Sequence, residues 1–157
     1  MEEREVPVIP MEELVGLNNI EAEAEVLDWK DAIHKAGDIL VRNGDIKGSY
    51  IDDMIESVNT LGPYMVIAKG FALAHAAPCE AVLRNAVSLI NLKNGIDFGS
   101  KNDPVKVVMC LACTDRQSHM EKIQKIALRL MKEGMIDDLA ACKTKEELYE
   151  VFNKEGE

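Results

Sequence analysis

The chain has 157 residues, 18 Lys+Arg against 28 Asp+Glu and a formal net charge of -10, a length suited to one domain with a single adequate core. That balance, with no basic run, excludes a nucleic-acid binder, because neutralising phosphates takes clustered Lys and Arg; it favours basic partner surfaces instead. No apolar run approaches the roughly 18 residues of a membrane helix, and Met1-Glu2-Glu3-Arg4-Glu5 is too acidic for a signal peptide, so the expectation is a cytoplasmic protein with Cys79, Cys110, Cys113 and Cys142 reduced.

Residues 1 to 18, with two prolines and an excess of acid, read as an irregular lead-in, loosely ordered over 1–13 and with one helical turn at Met11 to Leu17. Ile20, Ala22, Ala24 and Val26 then alternate with Glu21, Glu23 and Glu25, the period-two signature of a half-buried strand. Its acidic face makes it an edge. Asp28 stands as an N-cap before Trp29, Ala32, Ile33, Ala36 and Leu40 at helical spacing, and Asn43-Gly44 supplies the stop. A second helix fits Ser49 to Leu61, with Ser49 as its cap and Gly62-Pro63 as its end.

From Tyr64 the texture changes to short apolar segments parted by turn residues, and four strands are predicted: Tyr64 to Ile67, Phe71 to Ala74, Ala86 to Leu92 and Val105 to Ala112. The link at Lys69-Gly70 suits a hairpin. Ser118 with Glu121 reads as a capping box before Met120, Ile123, Ala127, Leu130 and Met131, closed by Gly134; a short apolar turn follows at Met135 to Ala141. Thr144 with Glu147 makes a second box before Leu148, Val151 and Phe152. With helices before and after the block of strands and no linker, residues 1–157 form one domain. The fold class is α/β, a three-layer α/β/α sandwich on a mixed sheet of about five strands.

Three histidines are available for imidazole chemistry. His75 directly follows a strand and precedes Ala76, Ala77 and Pro78, a place where little bulk shields it and where a nucleophile can be reached by another protein. The competing reading is a satisfied surface histidine. His119 opens the third helix beyond the Val105 to Ala112 strand, and two strand ends meeting on one edge of the sheet would bring it to His75. His34 sits on a helix with no turn or companion and reads as structural. A zinc site is disfavoured: Cys110 and Cys113 are three apart on a strand, so their side chains leave by opposite faces. Glycine-rich phosphate loops and a nucleophile elbow are lacking, and no cofactor or metal is expected.

The segment Gly62-Pro63-Tyr64 through Lys69-Gly70 to Ala74-His75-Ala76 resembles the active-site segment of enzyme IIA proteins of the sugar phosphotransferase system, of the mannitol/fructose type and its ascorbate branch. Asn102-Asp103-Pro104-Val105 through Ala112, Asp115 and His119 is similar to the branch's second motif, and Glu25 to Ile33 to its third; together they span residues 14 to 153. The resemblance implies that His75 accepts a phosphoryl group from the phosphocarrier HPr and passes it to a IIB component of a sugar permease. Neighbouring donors then cradle the phosphate, His119 first, with Arg116 and Lys69 behind it and Arg84 read as a surface charge; Glu80 and Asp115 are candidates to orient an imidazole. Where that branch carries proline, this chain has Lys69 and Ala74, and Ser57 lies in the region where mannitol-type members place an arginine. A regulatory IIA-like domain that docks or signals is the alternative function, and a homodimer is left open.

Overall fold

The alternating segment pairs as an edge strand. In the computed structural model, which describes residues 13–153, the chain runs β1 (Ile20–Ala24), α1 (Trp29–Arg42), α2 (Gly48–Leu61), β2 (Phe71–Ala74), β3 (Ala86–Ile96), β4 (Val105–Ala112), α3 (Arg116–Leu130), α4 (Met135–Ala141) and α5 (Lys145–Asn153). The expectation for residues 1–12 lies outside the described residues. The early helical turn falls at Leu17–Asn19, as a 3-10 turn, rather than before it.

The sheet has four strands in the order β1-β3-β4-β2, not five. β3 and β4 form a central antiparallel pair, and β1 and β2 flank them in parallel, so the sheet is mixed. The missing strand is Tyr64 to Ile67. Its backbone is spent in a turn, with the Tyr64 amide donating to Gly62 O at 2.8 Å and the Val66 amide to Pro63 O at 3.1 Å. Only Met65 O reaches β2, accepting the Leu73 amide at 2.8 Å. The hairpin expected at Lys69-Gly70 is a tight turn instead: the Phe71 amide donates to Ala68 O at 3.0 Å and Gly70 has φ 82°, a type II arrangement that favours proline at the Lys69 position.

Two caps shift for a physical reason. The Asp115 carboxylate accepts the Ser118 amide at 2.7 Å, so Asp115 caps α3 and Ser118 lies inside the first turn. Lys47, with no side-chain cap bond, precedes α2, and Ser49 is already helical. Asp28 caps α1 as its position predicts, accepting the Asp31 amide at 2.9 Å. The Thr144 box also forms, with the Glu147 amide donating to Thr144 Oγ1 at 3.1 Å. The strand predicted over Ala86 to Leu92 continues through Asn94-Gly95 to Ile96 across a register shift, and the short apolar turn at Met135 to Ala141 is helical.

Side chains alternate along β4 into two cores. Val108, Cys110 and Ala112 join Ala72, Ala74 and Ile90 under Ile33, Leu40, Ile51 and Met54 of α1 and α2. Val107, Met109 and Leu111 join Phe71, Leu73 and Leu89 under Ile126, Leu139, Leu148 and Phe152 of the last three helices. Helices on both faces make the three-layer sandwich, and they explain why β4 reads as an almost unbroken apolar run. Cys110 and Cys113 fall in opposite cores. Buried Asn153 ties the chain's beginning to its last helix: its Oδ1 accepts the Leu14 and Val15 amides at 2.8 and 3.1 Å, and its Nδ2 donates to Val15 O at 2.9 Å.

Candidate functional site

β2 runs parallel to β4, so the carboxyl ends of both strands lie at one pole of the sheet. His75 is the first residue past β2, and α3 begins four residues past the end of β4. This placement brings His75 and His119 together, with ring centroids 5.4 Å apart. His119 is held there by the helix start, its amide donating to Asp115 O at 3.1 Å.

The imidazole of His75 folds back over the open edge of β2. Its Nδ1 lies 2.7 Å from Leu73 O. A carbonyl can only accept, so this bond requires Nδ1 to carry the proton and leaves the lone pair on Nε2. The ring is flanked on its other side by Tyr64, whose ring meets it edge-on at 5.3 Å and 87°. Burial lowers the pKa of His75, and the Leu73 bond only partly offsets it. Burial also lowers His119, with His75 adding to the effect. Both rings are therefore neutral near pH 7. The Nδ1 of His119 is buried without a hydrogen-bond partner among the described residues.

The backbone carrying His75 is gripped by two tyrosines. Tyr64 donates its hydroxyl to His75 O at 2.7 Å; burial raises the pKa of the phenol, with nearby Ser57 of α2 acting in the opposite direction. Tyr50, fully buried on α2, accepts the Ala76 amide at 2.9 Å and faces the carbonyls of Leu111 at 2.9 Å and Ala76 at 3.0 Å. Sequence reasoning assigned neither a role at the site, and it placed Tyr64 in a strand. The available signal was a tyrosine directly after the Gly62-Pro63 helix exit, since a buried phenol needs a polar partner.

The remaining candidates divide. Asp115 is committed to capping α3 through the amide and hydroxyl of Ser118, which holds its pKa down; it supports His119 through the helix rather than through the ring. Arg116 is the exposed first residue of α3, and Glu80 lies exposed in the loop between β2 and β3. Arg84 is engaged by Asp45 at 2.9 Å and by Asn43 O at 2.8 Å. Lys69 is not part of the site. It precedes β2, whereas His75 follows it, and it lines a cleft of about 320 Å³ with Pro104, Lys106 and Asp137 at the other pole. His34 is exposed on α1, apart from the pair. Among the described residues no His, Cys, Asp and Glu trio is placed to hold a metal ion.

Neutral Nε2 with a fixed proton on the opposite nitrogen is a nucleophile that needs no further base. Comparison with known proteins agrees in kind. A family model described as phosphoenolpyruvate-dependent sugar phosphotransferase system, EIIA 2, matches residues 13–155. The chain is 32% identical over 139 residues to the ascorbate-specific PTS system EIIA component of Salmonella choleraesuis, covering 87% of this chain and 90% of that one. The solution structure of the mannitol-specific cryptic phosphotransferase enzyme IIA of Escherichia coli is similar at a TM-score of 0.82 and 26% identity, over 90% of this chain and 99% of that one. A complex of the Escherichia coli mannitol enzyme IIA with phosphorylated enzyme IIB shares the fold at a TM-score of 0.77 and 23% identity, over 88% and 96% of the chains.

Proposed function

The chain belongs to the EIIA 2 family of the phosphoenolpyruvate-dependent sugar phosphotransferase system, and on that premise we propose that it is a cytoplasmic phosphoryl carrier that accepts phosphate from HPr on Nε2 of His75 and passes it to a IIB component, for uptake of ascorbate or a related sugar acid. The observation that carries this reading is the 2.7 Å contact between His75 Nδ1 and Leu73 O, which leaves Nε2 free at the surface pole. In the first transfer the donor's P–N bond breaks as the Nε2–P bond forms. The ring then holds a proton on Nδ1 and phosphorus on Nε2, and the Leu73 carbonyl stabilises the resulting positive charge.

That same proton serves the second transfer. When the Nε2–P bond breaks, its electron pair returns to Nε2 and a neutral imidazole departs, so no proton has to be found or lost between the two steps. His119, its ring centroid 5.4 Å from that of His75, is the candidate to donate to a phosphoryl oxygen, and its buried Nδ1 lacks a partner among the described residues. Incubation with enzyme I, HPr and phosphoenolpyruvate is expected to give an acid-labile phosphohistidine. Labelling that persists undiminished in His75→Gln would refute the assignment. A panel of IIB proteins then identifies the acceptor.

A further inference from the structure

We propose that Tyr64 is a positioning residue for His75, holding the imidazole in the tautomer and orientation that expose Nε2. The proposal rests on the reading of His75 as the phosphoryl acceptor. The Nδ1 bond to Leu73 O fixes one point of the ring, but one hydrogen bond leaves the side chain free to swing away from the strand edge. The preceding residue adds no restraint, because the side chain of Ala74 is a methyl group buried in the core and its backbone lacks a proline's locked φ.

Tyr64 supplies both restraints. Its hydroxyl binds His75 O at 2.7 Å, which anchors the main chain from which the imidazole hangs. Its ring stands edge-on to the imidazole at 5.3 Å, filling space beside it as His119 does with its centroid 5.4 Å distant. The imidazole thus packs against two rings with Nδ1 turned to the strand. Tyr64 is placed in turn by the Gly62-Pro63 turn, its amide donating to Gly62 O at 2.8 Å, and by Met65 O on the Leu73 amide at 2.8 Å. The carbonyl that orients the imidazole and the tyrosine that confines it therefore move as one unit. Free histidine in water favours neither a fixed rotamer nor a single tautomer, so removing this unit returns the ring to a mixture in which part of Nε2 carries the proton and cannot attack.

The test uses the whole chain, with imidazole tautomers read from ¹⁵N NMR of the unphosphorylated protein and with initial rates of labelling by phospho-HPr. Wild type is expected to show His75 with Nδ1 protonated and Nε2 bare. Tyr64→Leu is expected to populate the Nε2–H form and to lower the labelling rate about tenfold or more, while Tyr64→Phe, which keeps the ring and loses one hydrogen bond, falls about 3-fold to 10-fold. KM for HPr stays near its wild-type value in both. An unchanged tautomer and rate in folded Tyr64→Leu would overturn the proposal; if that variant does not fold, an unchanged rate in Tyr64→Phe does so. The failure of the underlying reading looks different: wild type would not be labelled at His75, whatever its tautomer.

Discussion

Removing one oxygen atom, in Tyr50→Phe, tests how the strand-end scaffold is held. The Tyr50 hydroxyl is fully buried; it accepts the Ala76 amide at 2.9 Å, and its single proton is shared between Leu111 O at 2.9 Å and Ala76 O at 3.0 Å. The substitution leaves the Ala76 amide without this partner in a buried position. An unsatisfied buried donor costs about 1–3 kcal/mol, and the loss of the donated bond adds about 1 kcal/mol, so the expected destabilisation is about 2–4 kcal/mol. For a chain of this size that corresponds to roughly 4–16 °C in Tm. Urea unfolding should show a lower midpoint with an unchanged slope, since the exposed surface does not change. Tyr64→Phe, whose hydroxyl is only part-buried, should lose less. A loss under about 0.5 kcal/mol in Tyr50→Phe, or a larger loss in Tyr64→Phe, would refute the premise that the cost is set mainly by how deeply the freed donor is buried.

Two further outcomes follow from electrostatics and turn geometry. His75 and His119 both have pKa values lowered by burial from the ordinary 6.5, so the unfolded chain binds more protons than the folded one between the lowered values and 6.5; stability is full above 6.5 and falls as pH drops through that window. Urea midpoints measured from pH 7.5 to 5 should fall less steeply in the His75→Gln/His119→Gln double variant, and an unchanged slope would contradict the burial of the pair. Lys69→Pro should raise stability by about 0.4–1 kcal/mol, because the Ala68 to Phe71 turn already has the conformation that proline prefers at that position; labelling of His75, at the far end of β2, should not change, and both are read from thermal melts and phosphorylation assays.

Much of this architecture was legible because periodicity and caps act locally. The Glu-alternating stretch, Asp28 before α1 and the Thr144 box each carried its own physical signal, and each stands where that signal put it. The pairing of His75 with His119 followed from strand ends sharing a pole. What failed was decided by non-local competition. Tyr64 to Ile67 is apolar enough for a strand, but the outer side of β2 is already engaged, with the Phe71 amide donating to Ala68 O, the Leu73 amide to Met65 O and the His75 ring to Leu73 O, and no ladder remains for a fifth strand. Asp115 outcompeted Ser118 as a cap because its carboxylate reaches the Ser118 amide, a geometry that a capping-box spacing cannot reveal. Lys69 read as a phosphate neighbour because it lies near His75 in sequence, yet an extended strand of about 3.3 Å per residue carries the two to opposite poles.

The clamp made by Asn153 has a temporal side. The side chain that accepts the Leu14 and Val15 amides is synthesised 139 and 138 residues after them, a delay of roughly 7–28 s at ordinary rates of synthesis. Until then those two amides lack their final acceptor, although the adjoining edge strand β1 can already pair with β3. The entry to β1 is therefore secured by a side chain that is synthesised after all four strands of the sheet.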